Sequence, residues 1–399
     1  MTSQLIGVEH RKTATSKTAP HYDVIVVGVG SMGSAACWFL AKRGYKVLGL
    51  EKFTTPHEQG SHTGQSRLVR KSYFEHPDYV PLLARAYQNW RLLEAEMTST
   101  FYQPTGILYA GKPDHETMSG LKQSAAMYQI PLKKIPPSEA GSQYPLFRFP
   151  SDFEVILEAD AGFVSPENTI IAYSQDAIKK GATILTNSAI DTWKVEAGRV
   201  EVKTDSTTYT SDKLIITAGA WTSQLIPALP TSLTVTRQVV AWLDVEDQTA
   251  FALGDFPCWL VEDPELGTFY GFPVLPSSEY PGPTGLKLAH HFPGEKTNPD
   301  FADRSIQEKD AEALRHFVKN YIPAAGHTFR AFKSCLYTNS VDRNFIIDQL
   351  PGYDNRVTVA CGFSGHGFKF VPVVGEILAD LAMKGRTDLP IHFLRLNRF

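Results

Sequence analysis

The stretch "YDVIVVGVGSMGSAACWFLAKRG", residues 22–44, constrains the fold more than any other part of this 399-residue chain. Its first half is a continuous run of β-branched and apolar residues, the pattern of a strand buried on both faces of a parallel sheet. Glycines follow at once, and then a run of small and apolar residues suited to a closely packed helix. Strand, glycine turn and helix in this order suit a dinucleotide. Gly28 makes the tight turn, Gly30 lets backbone amides approach a pyrophosphate, and Gly33 lets the helix pack closely on the strand. Ser31 and Met32 stand in the same turn at the helix N-terminus, where unpaired N–H groups and the dipole favour negative charge. A second strand, "YKVLGLEK", carries Glu51 18 residues beyond Gly33, near the spacing of the acid that binds adenosine ribose hydroxyls, with Lys52 next to it. FAD and NAD share this physics, so the unit alone does not choose between them.

Length suits two domains, or one large domain with an elaborated insertion. With 39 basic and 42 acidic side chains, a net charge of −3 and no long block of like charge, nothing points to nucleic acid. No apolar run reaches the roughly 18 residues of a membrane span. The four cysteines, Cys37, Cys258, Cys335 and Cys361, show no CxxC spacing and no disulfide framework, which is the usage of a reducing cytoplasm. They also offer no metal-ligand spacing. Residues 1–20 lack hydrophobic periodicity and read as a loosely ordered tail. The segment "GSHTGQSRLVRKSY" (60–73) crowds Gly, Ser, His and basic residues after the second strand. If it is helical, Arg67 and Arg70 lie on one face; the alternatives are a solvated basic patch and a polar loop facing a cofactor or a carboxylate.

Eight motifs then occur in a fixed order: "DVIVVGVGSMGSAACWFLAKRG", "GSHTGQSRLVRKSY", "DKLIITAGAW", "RQVVAW", "YGFP", "GLKLAHH", "CLYTNSVDRNFIID" and "CGFSGHGFKF". In these the chain resembles the monomeric sarcosine oxidase and N-methyltryptophan oxidase family of FAD-dependent amine oxidases, from about residue 22 to the C-terminus. The resemblance implies an α/β (α+β) chain in which a Rossmann-like FAD-binding domain (1–90, 151–235 and 328–399) is interleaved with a substrate domain (91–150 and 236–327) built on a mostly antiparallel sheet. "QEKDAEALRHFVKNYI" is an expected helix of the second domain.

Carried over position by position, the resemblance implies FAD attached covalently through a thioether between its 8α-carbon and Cys335. Further implied cofactor contacts are Gly28, Gly30, Ser31, Met32, Gly33, Glu51, Lys52, Ser61, Arg67, Ile190, Ala218, Gly219, Trp221, Tyr337, Gly362, Gly365, His366, Gly367 and Lys369. Arg70 and Lys369 are implied to grip the substrate carboxylate, bidentately in the case of the guanidinium. Lys287 in "GLKL" is implied to be the oxygen-activating cation, and strand alternation sends it to the face opposite Leu286 and Leu288 without saying which face is inward. His291 and Tyr270 are implied pocket residues. The loop "GFPVLPSSEYPGPTGL" is longer and richer in proline than the family's connection, which leaves substrate size open.

The implied reaction oxidises a secondary amino acid such as sarcosine or N-methyltryptophan to an imine, hydrolysed to amine and aldehyde, while oxygen becomes hydrogen peroxide. The partners expected are the amino acid and oxygen alone, with a monomeric protein, no nucleic acid, no membrane and no metal. The alternatives are an oxidase of a cyclic or larger N-alkyl amino acid of the pipecolate type, an NAD-dependent dehydrogenase, which leaves Cys335 and "SGHGFK" unexplained, and a flavin-binding sensor without turnover.

Overall fold

The computed structural model describes residues 19–291 and 294–399. The tail expected at 1–20 falls almost entirely outside them. The described chain divides into two compact units: one runs up to Thr63 and adds Glu167–Val235 and Leu336–Phe399, and the other comprises Gly64–Pro166 and Thr236–Cys335. The break at 235/236 coincides with the expected one, whereas those at 63/64, 166/167 and 335/336 differ from 90/91, 150/151 and 327/328. A cut at 90 would halve the continuous helix Tyr79–Met97. A cut at 150 would separate strand Glu154–Glu158 from its antiparallel partner Ile107–Gly111.

The first unit holds an eight-stranded sheet with a parallel core. Its parallel strands stand in the order Thr183–Leu185, Val47–Leu50, His21–Val27, Thr208–Ile216 and Val357–Cys361. Val24, Ile25 and Val26 are completely buried, as a strand covered on both faces requires. The glycine turn leads into helix Ser31–Lys42, which packs on the C-terminal helix Val371–Lys384. They pack closely at Gly375, where a Cβ would stand 2.6 Å from the Ala35 Cβ.

The second unit is built on a nine-stranded, mostly antiparallel sheet that includes Thr234–Leu243, Leu286–His290, Gly267–Phe272, Cys258–Asp263 and Ile107–Gly111. Only the Cys258–Asp263 and Ile107–Gly111 pair is parallel among the pairings described. The expected helix forms as Glu308–Tyr321, begun by a capping box between Gln307 and Asp310. It covers one face of the sheet, with Phe317 stacked on Trp259 and Phe269 at ring separations of 5.1 and 4.4 Å. Leu286 and Leu288 join that core.

The segment carrying Arg67 and Arg70 is extended, not helical. Arg67–Val69 is a strand paired antiparallel with Gly162–Val164, and the side-chain period of a strand parts residues three apart rather than placing them on one face. No helix among the described residues is long and apolar enough to cross a membrane.

Candidate active site

In the first unit the glycine turn has the geometry its sequence requires. Gly28 has φ +84°, and a Cβ there would lie 2.6 Å from the Thr217 carbonyl oxygen. At Gly33 a Cβ would come 1.9 Å from the Gly28 oxygen, so packing alone demands glycine. Gly30 differs. The nearest atom to a Cβ there is His62 Nδ1 at 3.8 Å, an ordinary contact, so nothing in the chain's own packing excludes a side chain. A bare backbone with no packing reason to be bare fits a group that approaches from outside, as a pyrophosphate does.

Glu51 is buried at the end of its strand and accepts hydrogen bonds from the backbone N–H of Val29 (2.8 Å) and Phe53 (3.0 Å). Burial pushes its carboxyl up to about 7 against these bonds. His57 Nε2 stands 3.5 Å from the same carboxylate, and the His57 and His62 rings meet at 4.7 Å. Neither histidine was singled out by the sequence, where they are only two of twelve. Lys52 is exposed, with its ammonium 5.0 Å above Trp221, while Ala218 and Gly219 stand at the end of strand Thr208–Ile216. Ile190 opens strand Ile190–Glu196, and Ser61 is exposed between Gly60 and His62.

The loop 362–367 is a second glycine-rich element of this unit. Gly362 and Gly365 have φ of +63° and +79°, and a Cβ on Gly365 would enter the Tyr337 ring at 2.2 Å. A Cβ on Gly367 would meet Phe363 at 2.6 Å. His366 bonds the Arg343 carbonyl oxygen through Nε2 at 3.0 Å and lies 4.6 Å from the Phe345 ring. Lys369 is 5% exposed on the turn Phe368–Phe370, with its ammonium donating to the His366 carbonyl oxygen at 2.7 Å. It is therefore a buried cation and not a surface lysine.

The second unit concentrates buried positive charge. Lys287 is 1% exposed and donates to the carbonyl oxygens of Gly64 and Ser66 (2.7 Å for the latter) and to Ser66 Oγ (3.0 Å). Alternation thus turns it away from the face where Leu286 and Leu288 pack. Arg67 Nη1 donates to the same Ser66 carbonyl at 2.9 Å. Cys335 is buried in this field: desolvation pushes the thiol up, and the charges of Arg67, then Lys287, Arg304 and Arg237 pull it down, with burial prevailing.

Arg70, 3% exposed, lies against the faces of Tyr73 and Phe74 at 4.4 and 4.3 Å. One of its terminal nitrogens reaches both carboxylate oxygens of Glu75 at 2.7 Å, and the other donates to the Ser72 carbonyl at 2.8 Å. Glu75 is a partner that no periodicity marks. Tyr270 and His291 meet edge to face at 5.9 Å, with the His291 backbone bonded to Thr268. All four cysteines are free and buried, and no cluster of metal-binding side chains occurs among the described residues.

A glycine cradle and a buried acid on a sheet with a parallel core fit a dinucleotide-binding protein, here joined to a second sheet domain rich in buried cations. The chain belongs to the FAD dependent oxidoreductase family, which matches residues 23–381, and it is an enzyme of that class. This sets aside the NAD-dependent alternative. Among curated proteins it is 39% identical to monomeric sarcosine oxidase of Streptomyces avermitilis over 94% of this chain and 96% of that one. To N-methyl-L-tryptophan oxidase of Salmonella dublin it is 33% identical over 95% and 99%. Among solved structures NikD, an unusual amino acid oxidase essential for nikkomycin biosynthesis, superposes with TM-score 0.83 at 25% identity, covering 94% of this chain and 97% of that one. L-proline dehydrogenase from P. horikoshii shares the fold, with TM-score 0.80 at 21% identity over 96% and 98%.

Proposed function

We propose that the enzyme oxidises a secondary amino acid, of the kind represented by sarcosine or N-methyltryptophan, and delivers the electrons to oxygen as hydrogen peroxide. The observation that carries this reading is the buried cationic field of the second unit, in which Lys287 is held by uncharged oxygens and Cys335 lies under the charges of Arg67 and Lys287. FAD, when bound, accepts two electrons from the carbon next to the amine and passes them to oxygen.

The chain's own part is to hold and orient. Gly28, Gly30, Ser31, Met32, Gly33, Glu51, Lys52, Ser61, Ile190, Ala218, Gly219 and Trp221 hold the adenosine and pyrophosphate end. Arg67, Tyr337, Gly362, Gly365, His366, Gly367 and Lys369 hold the ring end, and Cys335 fixes it by a thioether to the 8α-carbon. Arg70 and Lys369 take the substrate carboxylate, and the carboxylate of Glu75 gives way to it on the guanidinium. Tyr270 and His291 flank the amine side chain. The ammonium of Lys287 stabilises negative charge developing on oxygen. A water hydrolyses the imine to amine and aldehyde. We place the protein in the cytoplasm, a reading supported by its four free cysteines, and take it to be a monomer.

The decisive experiment denatures the purified protein in acid and follows the yellow chromophore. It stays with the wild-type polypeptide and leaves a Cys335→Ser variant; flavin released from the wild type sinks the covalent assignment. A peroxide assay over sarcosine, N-methyltryptophan, pipecolate and proline then identifies the amine. Larger or cyclic amines are the second reading, favoured by the long loop before Lys287, and turnover confined to pipecolate would select it.

A further inference from the structure

The strongest unexplained feature is the backbone at Gln65. Its φ is +67°, in the left-handed region that a residue with a long side chain rarely adopts. Ser66 N–H donates to the Gly64 carbonyl oxygen at 2.8 Å across it, so Gln65 is the centre of a three-residue γ-turn with positive φ, a rare and strained form. The two carbonyls this turn presents, those of Gly64 and Ser66, are the ones that receive the Lys287 ammonium. Strain kept at such a place must be offset by the surroundings.

The surroundings are the Gln65 amide's partners. The side chain is 3% exposed; its Oε1 accepts from the Trp242 indole N–H at 2.7 Å and its Nε2 donates to the Tyr280 carbonyl at 2.9 Å. Trp242 is the cross-strand neighbour of Lys287 in the antiparallel pair. Tyr280 belongs to the proline-rich loop and is itself buried. That loop closes over the amide at Gly282, where a Cβ would stand 2.7 Å from Gln65 Cγ. One side chain therefore ties the strained turn to the strand beside Lys287 and to the loop.

We infer that Gln65 is a positioning residue for Lys287: its amide clamp holds the γ-turn whose carbonyls fix the ammonium where it acts on oxygen. The inference rests on the reading of Lys287 as the oxygen-activating cation. Gly64 agrees with it, since its φ is +110° and a Cβ there would lie 3.7 Å from both Lys287 Nζ and Arg67 Nη1. The proline-rich loop then acts as an anchored brace for the turn.

The test compares Gln65→Met, which keeps length but loses both amide bonds, with Gln65→Gly, which accepts the positive φ without strain but has no clamp. Two quantities are read in the purified flavoprotein. One is the rate at which the substrate-reduced enzyme reacts with oxygen, measured apart from the rate of its reduction. The other is acetylation of Lys287 by acetic anhydride, followed by peptide mass spectrometry. Both variants are expected to react with oxygen about tenfold more slowly and to label Lys287 about tenfold faster, with reduction by substrate within about twofold of wild type. Unchanged oxygen rates and labelling in both, with only a lower melting temperature, would overturn the inference. So would a wild-type Gln65→Gly beside an impaired Gln65→Met, because the turn would then need no clamp. A Lys287→Met control with undiminished oxygen rate refutes the oxygen reading itself, and the labelling still decides whether Gln65 holds the ammonium.

Discussion

Glu75→Gln tests the substrate clamp most directly, because in the structure the guanidinium that should receive the substrate carboxylate is already bound to one. A single Arg70 nitrogen reaches both Glu75 oxygens at 2.7 Å, with Arg70 3% and the Glu75 side chain 16% exposed. Hydrogen bonds to a charged group contribute about 1.5–3 kcal/mol in such settings. A substrate that must displace Glu75 loses that amount from its apparent affinity. Glutamine keeps the shape and one oxygen acceptor but removes the charge, so roughly half of the cost, about 0.75–1.5 kcal/mol, disappears. We expect KM for an N-methyl amino acid to fall about four- to twelvefold with kcat nearly unchanged, since 1.4 kcal/mol is a factor of ten. The dissociation constant of an unreactive carboxylate such as acetate, read from the flavin absorbance, should tighten by the same factor. In the absence of any carboxylate the variant should melt lower, because the buried Arg70 charge loses its partner. Affinity unchanged or weakened in both measurements would refute the reasoning and place the carboxylate elsewhere.

Three further outcomes follow from other parts of the structure. Gly33→Ala should lose folding or flavin binding altogether, because its Cβ would lie 1.9 Å from the backbone oxygen of Gly28, whereas Gly30→Ala should leave the melting temperature of flavin-free protein within about a degree and weaken FAD binding, as titration would reveal. Glu51 in flavin-free protein has its carboxyl raised by burial from 4.5 to about 7. Between those values the folded chain keeps a proton that the unfolded chain has lost, so stability falls as pH rises through this window, by up to about 3 kcal/mol. Urea melts from pH 4.5 to 7.5 should show that slope in the wild type and not in Glu51→Gln. Gly365→Ala, driven into the Tyr337 ring at 2.2 Å, should weaken flavin retention in a Cys335→Ser background, measured by filtration.

The glycine unit was legible because its information is local. A buried parallel strand, the turn at Gly28 and the packing at Gly33 are each specified by adjacent residues. Arg67 and Arg70 show the opposite case. Their segment is extended because it pairs with Gly162–Val164, about a hundred residues away, and no periodicity within 60–73 reveals that partner. Lys287 lay between: alternation separated it from Leu286 and Leu288, but only a sheet covered on both faces makes a lysine on the second face buried. The unit boundary at 63/64 was hidden because the helix Tyr79–Met97 belongs to the second unit, where its Tyr87 meets Tyr102 at 5.3 Å, and not to the glycine unit that precedes it in sequence. Gln65 carried no signal at all, since positive φ is read from glycine or asparagine and here it is imposed by Trp242 and Tyr280.

Lys287 and Arg70, two of the buried cations of the second unit, are held in opposite ways, and the difference has a kinetic consequence. Lys287 donates to carbonyl and hydroxyl oxygens, which orient an ammonium and carry no formal charge, so on the proposed reading its field does not wait on the arrival of a carboxylate. Arg70 is neutralised by Glu75, so a substrate carboxylate pairs with it only by displacing that partner. The substitutions at 65 and 75 should therefore divide cleanly: Gln65→Met alters the oxygen rate and not the carboxylate affinity, and Glu75→Gln does the reverse. In the double variant the two effects should add to within about 0.5 kcal/mol, as for sites that share no partner. A larger coupling, measured as the change in oxygen rate caused by Glu75→Gln in the two backgrounds, would mean that the field at Lys287 depends on the charge state of the clamp, and the separation argued from their partners would fail.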